Sequence, residues 1–254
     1  MGFSNCYQDA TRAEAYSQLE FANTYHLAYR DLPDIIHEHI VGTKALDFGC
    51  GTGRSTRFVR RLGFDVVGVD IAPEMIAKAR QLDPAGGYRL IKDDDVNEFP
   101  ARAYDLVLSV FTFDNIPGLA TKVRLFHDLG RLLNAGGRII SVVSSPEIYV
   151  NEWASFSTKD FPENRVARSG DTVKIITTDF ADRRPAEDIL WTNESYWDVY
   201  RRAGLLPVAT YKPLAQGDEP YQWINETRIP PWVIYVLASR DEPDENSSRA
   251  GRSR

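Results

Sequence analysis

Between residues 44 and 144 five short apolar runs, KALDFG, DVVGVD, YRLIK, YDLVLSVF and RIISVVS, are separated by segments of helical periodicity. Strands this uniformly apolar are buried on both faces, a state that parallel sheets reach when helices cover them above and below. The intervening segments read as helices: 54–62, then APEMIAKARQ with Pro73 in its first turn, then 119–133. In the last of these Leu119, Val123, Phe126, Leu129 and Leu133 share one face, and NAGG reads as its C-terminal stop. Strand and helix alternating in this way predict an α/β fold with a doubly wound sheet.

The flanks depart from that rhythm. Upstream, Leu19, Ala22, Leu27, Leu32, Ile35, Ile36 and Ile40 recur at helical spacing, with Pro33 starting a new turn, so 1–42 reads as a helical N-terminal arm. The core spans 43–145. Residues 146–192 are aromatic and charged, with one hairpin from TVKIITT and DILWT, and read as a lid insert. NESYWDVYRRAGL, capped by Asn193, then PVATYKPL and PPWVIYVLASR return the chain to the core sheet over 193–240. The tail 241–254, DEPDENSSRAGRSR, is polar, poor in aliphatics and expected to be disordered.

Charge and cysteine usage exclude several partners. With 36 acidic against 30 basic residues and a net charge of −6, the chain lacks the basic stripe that offsets phosphate repulsion, so no nucleic-acid partner is expected. No apolar run approaches about 18 residues and the opening MGFSNCYQDATRAEAY has no signal-peptide pattern, so no membrane partner is expected either. Two cysteines, Cys6 and Cys50, make neither a disulfide framework nor a zinc set and fit a reducing cytoplasm. No metal is expected: His37 and His39 are two apart on a helix and point to nearly opposite sides, and the run Asp93, Asp94, Asp95 reads as a loop. His127 flanks an apolar stripe and reads as structural, and IPPW at 229–232 lacks the amide or carboxylate needed to receive an amine's protons.

The stretch ALDFGCGTGR carries the chemistry. It places Asp47, Gly49, Gly51 and Gly53 between the first strand and first helix, at the sheet edge where ligands bind in such folds. A dinucleotide fingerprint needs glycine at position 54, where Arg54 stands. The acid followed by G-x-G-x-G resembles the first motif of the class I S-adenosylmethionine-dependent methyltransferases, in motif order and spacing from about 45 to 140. That resemblance implies S-adenosyl-L-methionine as cofactor and a seven-stranded Rossmann-like sheet with its last strand antiparallel, closed over by the arm and the insert. Gly49, Cys50, Gly51 and Gly53 then admit the ligand's amino-acid and ribose parts, and Asp47 suits its ammonium. Asp70, 21 positions after Gly49, suits the ribose hydroxyls. Ile71 and Met75 correspond to the adenine-packing positions. The family's usual spacing, counted back from Pro100, implies Asp95, or Asp94 one register away, for the adenine amino group and the Val96 backbone for the ring nitrogen. Ser109 and Phe111 face the cofactor.

For the acceptor, SVFTFDNIPG delivers Phe113, Asp114 and Asn115 to the same edge, and the aromatic residues of arm and insert supply Tyr16, Phe21, Tyr25 and Trp153. The implied activity is methyl transfer to a small molecule by direct displacement, in a monomer or homodimer. A base is needed only where the acceptor must lose a proton, and Asp114, Tyr25 and His26 are the candidates. The alternatives are an NAD(P)-dependent oxidoreductase on the same kind of sheet and a non-catalytic S-adenosylmethionine-binding protein.

Overall fold

A computed structural model describes residue 14 and residues 21–92 and 95–240. Two helices, α1 (Thr24–Tyr29) and α2 (Leu32–His39), precede β1 (Lys44–Phe48). There follow α3 (Arg54–Arg61), β2 (Asp65–Asp70), α4 (Pro73–Leu82), β3 (Gly87–Leu90) and β4 (Tyr104–Val110). Next come α5 (Leu119–Arg131) and β5 (Leu133–Ser144), then the insert strands β6 (Phe156–Ser157), β7 (Thr172–Thr177) and β8 (Ala186–Ile189). The chain closes with α6 (Asn193–Arg202), β9 (Leu205–Tyr211) and β10 (Trp232–Ser239). Seven strands form one sheet in the order β3-β2-β1-β4-β5-β10-β9. The first five are parallel, and β10, last in the chain, is antiparallel to both of its neighbours.

Alternation along the strands sorts the core into two layers. Ala45, Leu106, Leu108, Ile140, Val142, Ile234 and Val236 pack against the arm helices and the insert. Their chain neighbours Leu46, Val107, Ile139, Val143, Val233, Tyr235 and Leu237 pack against α5 and α6 through Leu125, Phe126, Leu129, Tyr196 and Tyr200. The central strands β1, β4, β5 and β10 are largely apolar because most of their residues face one of two buried layers, whereas the edge strands β3 and β9 leave positions exposed.

Three local expectations are corrected. The NAGG stretch lies inside β5, since Leu133 already pairs with Tyr104 and α5 has ended at Arg131. The cap of α6 is Thr192, whose side chain accepts from Ser195 N, while Asn193 Oδ1 receives the Tyr235 hydroxyl. β9 starts two residues earlier than expected and carries Pro207, tolerated on this edge strand beside the irregularity between Val236 and Leu237.

Hydrogen bonds fix the arm to the sheet. Thr24 donates through Oγ1 to Glu226 and through its amide to Ser155 Oγ, while its carbonyl receives the Trp232 indole N–H at 2.8 Å. The start of α1 is thereby held at the carboxyl edge of the sheet. The insert strands form their own antiparallel sheet, β6-β7-β8, beside it. The tail 241–254 and most of residues 1–20 lie outside the described residues.

Candidate active site

The loop after β1 turns on positive φ values at Gly49 (+73°), Gly51 (+53°) and Gly53 (+83°), a region costly for residues with a Cβ. The need differs between two of them. A Cβ at Gly49 would overlap the Thr112 side chain, whereas one at Gly51 would meet nothing, because Gly51 opens onto a cleft. Asp70, at the end of β2, accepts Gly51 N through one oxygen at 2.8 Å and Ala72 N through the other at 2.9 Å. Two adjacent strand ends are thus locked to each other, and each carboxylate oxygen keeps a lone pair for a ligand. Burial raises the Asp70 carboxyl above its ordinary range, against these amide bonds.

The cleft encloses about 400 Å³. At the loop end its wall is Gly49, Cys50, Gly51, Asp70, Ile71, Met75, Ile91 and Phe111. Phe111 sits at φ +64°, strained for a residue with a side chain, which turns the end of β4 over the cleft. The opposite wall comes from five segments: Tyr25 of α1, Asp114 and Asn115 of the turn after β4, Ser144 of β5, Ile175 and Asp188 of the insert, and Trp232 of β10. Tyr25, Phe111, Phe156 and Trp232 form one aromatic cluster, with ring centroids 4.5–6.1 Å apart. Arg54 lies over Tyr25 at 4.8 Å and Tyr29 at 5.4 Å.

Buried charge gathers at the far end. Asp114 accepts the Ser144 hydroxyl at 2.8 Å and the Ser144 amide at 3.0 Å. Asp188 accepts the Tyr149 hydroxyl at 3.0 Å. Behind them Lys122 is fully buried, donates to the Phe113 carbonyl, and lies over Trp191 (5.1 Å) and Tyr196 (5.6 Å). Burial drives the Asp114 carboxyl up and the Lys122 ammonium down, and their mutual attraction opposes both shifts. The Tyr196 hydroxyl, also fully buried, faces Asp114 without a partner in good hydrogen-bond geometry.

Several sequence-predicted residues meet at the cleft: Gly49, Cys50, Gly51, Asp70, Ile71, Met75, Phe111, Tyr25, Asp114 and Asn115 all line it. Others do not. Asp47 is fully buried beneath the loop, where it receives Ser55 and Thr56 hydroxyls at 2.7 and 2.6 Å and fastens the first turn of α3. Gly53 caps that helix, packed against Tyr88, and Ser109 and Val96 are buried off the cleft wall. Asp95 is exposed and caps its own turn through Asn97 N. Phe113 points into the opposite layer, stacked on Phe126 at 3.9 Å. Trp153 is core, its indole N–H spent on the Ile148 carbonyl. Phe21 packs on Tyr29 and Phe58, and His26 packs against Tyr221 away from the cleft. Asp94 and Tyr16 lie outside the described residues.

Sequence reasoning missed Arg54, Ser144, Asp188 and Trp232. Two signals were present. Arg54 directly follows the glycine loop, and Ala186 and Asp188 alternate on β8 opposite Ile175 and Val173 of β7, so a strand reading of AEDI puts Asp188 on the face that Ile175 presents to the cleft. Among the described residues no helix is long and apolar enough to cross a membrane, and no His, Cys, Asp and Glu cluster suits a metal.

Residues 46–141 match the methyltransferase-domain family. A demethylmenaquinone methyltransferase of Tropheryma whipplei is 36% identical over 102 residues, 39% of this chain and 41% of that protein, so the chain spans about two fifths of that relative's length. A ubiquinone biosynthesis O-methyltransferase of Pseudomonas aeruginosa is 27% identical over 75% of this chain and 76% of its own. An S-adenosylmethionine-dependent methyltransferase of Clostridium acetobutylicum has the same fold, with TM-score 0.58 at 14% identity over 83% of this chain and 92% of that one.

Proposed function

We infer that this chain, whose residues 46–141 match the methyltransferase-domain family, transfers a methyl group from S-adenosylmethionine to a small-molecule acceptor. The observation that carries this reading is the junction of Gly51 and Asp70: a glycine with open space where its Cβ would be, hydrogen-bonded to a carboxylate on the next strand end, both facing the cleft. Such a cradle fits a ribose diol, with Ile71, Met75 and Ile91 as apolar walls for a purine ring. Arg54 at the first turn of α3 suits the ligand's carboxylate.

The bound cofactor supplies a methyl group already activated on a sulfonium. The protein's task is then alignment and exclusion of water, and orientation alone accounts for about 7 to 11 kcal/mol in well-ordered reactions. Tyr25, Phe156 and Trp232 exclude water from the reacting end. Where the acceptor must lose a proton, Asp114 is the residue to receive it: it lines the cleft, its carboxylate is oriented by Ser144, and burial brings it towards neutrality. His26 is set aside as a base because it packs outside this wall. A small acceptor in the cytoplasm accords with the acidic balance and sparse cysteines. The test is incubation of the full chain with S-adenosylmethionine and a panel of small amines, phenols and carboxylates, read by mass. Gain of one methyl on a panel member supports the reading, and cofactor binding without transfer to any of them favours a non-catalytic binding protein.

A further inference from the structure

In α5 Thr121 lines the cleft, while its neighbour Lys122 turns inward behind that wall and is fully buried. The rings of Phe113, Trp191 and Tyr196 surround Lys122 Nζ, with centroids at 5.8, 5.1 and 5.6 Å, a cage that favours the charged form. An apolar residue of like length would fill that cage without the cost of desolvating an ammonium. Nζ donates to the Phe113 carbonyl, which belongs to the peptide joining Phe113 to Asp114. The chain divides at that peptide. Phe113 enters the core layer on Phe126, and Asp114 goes to the cleft wall, where the Ser144 amide and hydroxyl hold its carboxylate.

The fields of Asp114 and Asp188 both favour the ammonium, against burial. Reciprocally, the charge of Lys122 favours the Asp114 carboxylate, as do Ser144 and the Tyr196 hydroxyl. The phenols of Tyr149, Tyr196 and Tyr200 also meet the field of Asp114, and burial holds each of them above its ordinary range and so neutral. We propose that Lys122 is a positioning residue for the reacting end of the cleft: its bond to the 113–114 peptide fixes the turn that presents Asp114, and its charge holds that side chain as a carboxylate. The inference rests on the reading of Asp114 as the group that receives the acceptor's proton, and it deepens that reading, because a carboxylate can take a proton and a carboxylic acid cannot. It gives a role to a buried cation that does not itself reach the cleft.

The experiment is NMR titration of the full chain, with isotope labels on the aspartate carboxyl carbons and the lysine side-chain nitrogens, between about pH 4 and pH 9. Lys122→Met, of like length and without charge, is expected to raise the Asp114 midpoint by at least about one pH unit. Asp114→Asn reads the same coupling from the other side, and is expected to lower the Lys122 midpoint by at least about one unit. A lysine that served packing alone would move neither. An Asp114 midpoint within about 0.3 unit of the parent in folded Lys122→Met, or no lysine midpoint lowered in Asp114→Asn, would overturn the proposal. So would an unmodified chain in which Lys122 loses its proton at a lower pH than Asp114. Should Lys122→Met fail to fold, the Asp114→Asn titration decides alone. These titrations use neither cofactor nor acceptor, so failure of methyl transfer would count against the function and leave the coupling of the two residues to be read separately.

Discussion

At the glycine-loop end of the cleft the wall is the bare backbone of Gly49 to Gly51 and the Asp70 carboxylate, on the turns that end two adjacent strands. At the far end it is made of side chains from five segments spread over more than two hundred residues, Tyr25 to Trp232. The first end is a property of local geometry, because three positive-φ glycines and a strand-end acid make it wherever the sheet forms. The second exists only when arm, insert and last strand have all docked. Conserving a cofactor therefore takes a short motif, while changing an acceptor takes changes in flanking segments that leave the motif alone.

Variants at the two ends sharpen this division, because each end is expected to fail in its own observable. The largest effect is expected for Asp114→Asn, which removes the charged group at the reacting end: methyl transfer falls by about 10² to 10⁴, with S-adenosylhomocysteine affinity within about threefold of the parent. Parallel losses in both would merge the two ends into one. Gly51→Val does the reverse. Its side chain enters the open space beside Asp70 and resists positive φ, so cofactor affinity drops by at least about a hundredfold, as calorimetry would report. For Asp70→Ala the expected loss is about ten- to a hundredfold, from hydrogen bonds to a charged group of about 1.5 to 3 kcal/mol. An unchanged dissociation constant would remove Asp70 from the site.

The last effect is on stability and not on a ligand, and it concerns Asp47, which sits under the loop without touching the cleft. Burial raises its carboxyl from 3.8 to about 6, in spite of the Ser55 and Thr56 hydroxyls. A carboxyl whose folded value is raised contributes stability that is complete below the unfolded value and lost as pH rises through the folded one. The amide in Asp47→Asn cannot lose a proton, so the stability difference should move in the variant's favour by about 2 to 3 kcal/mol between about pH 4 and pH 7. Urea unfolding at the two pH values measures it, and a difference independent of pH contradicts the assignment.

How much of this could be read from sequence follows the same division. The apolar runs placed β1, β2, β4 and β5, since a strand buried on both faces leaves a near-continuous apolar signature, the alternation with helices placed the mostly exposed edge strand β3, and Asp70 was legible because it ends β2. Asp47, read as a ligand to the cofactor's ammonium, instead ties down α3, since spacing reports proximity to the loop but not which way a side chain turns. Phe113 and Asp114 are chain neighbours that point into opposite layers, and only the turn after β4 decides which one reaches the cleft. Trp153 was read as an acceptor-side aromatic and Trp232 only as part of the IPPW motif and the last strand. The first is consumed by packing, while the second is brought to the cleft by antiparallel pairing of β10 with β5, a contact nearly ninety positions apart in sequence that no periodicity encodes. Asp188 opens the run DILWT, but the strand is Ala186–Ile189, and only its pairing opposite Val173 shows which face Asp188 takes.

The claim on which both ends depend is that the Gly51–Asp70 cradle holds S-adenosylmethionine, and the most direct test is calorimetric titration of the full chain with S-adenosylmethionine and, separately, with NADH. Saturable binding of the sulfonium cofactor with about one equivalent per chain, weakened in Asp70→Ala, and no heat from NADH, is the predicted result. Binding of NADH in place of S-adenosylmethionine, or an affinity for S-adenosylmethionine indifferent to Asp70, would contradict it.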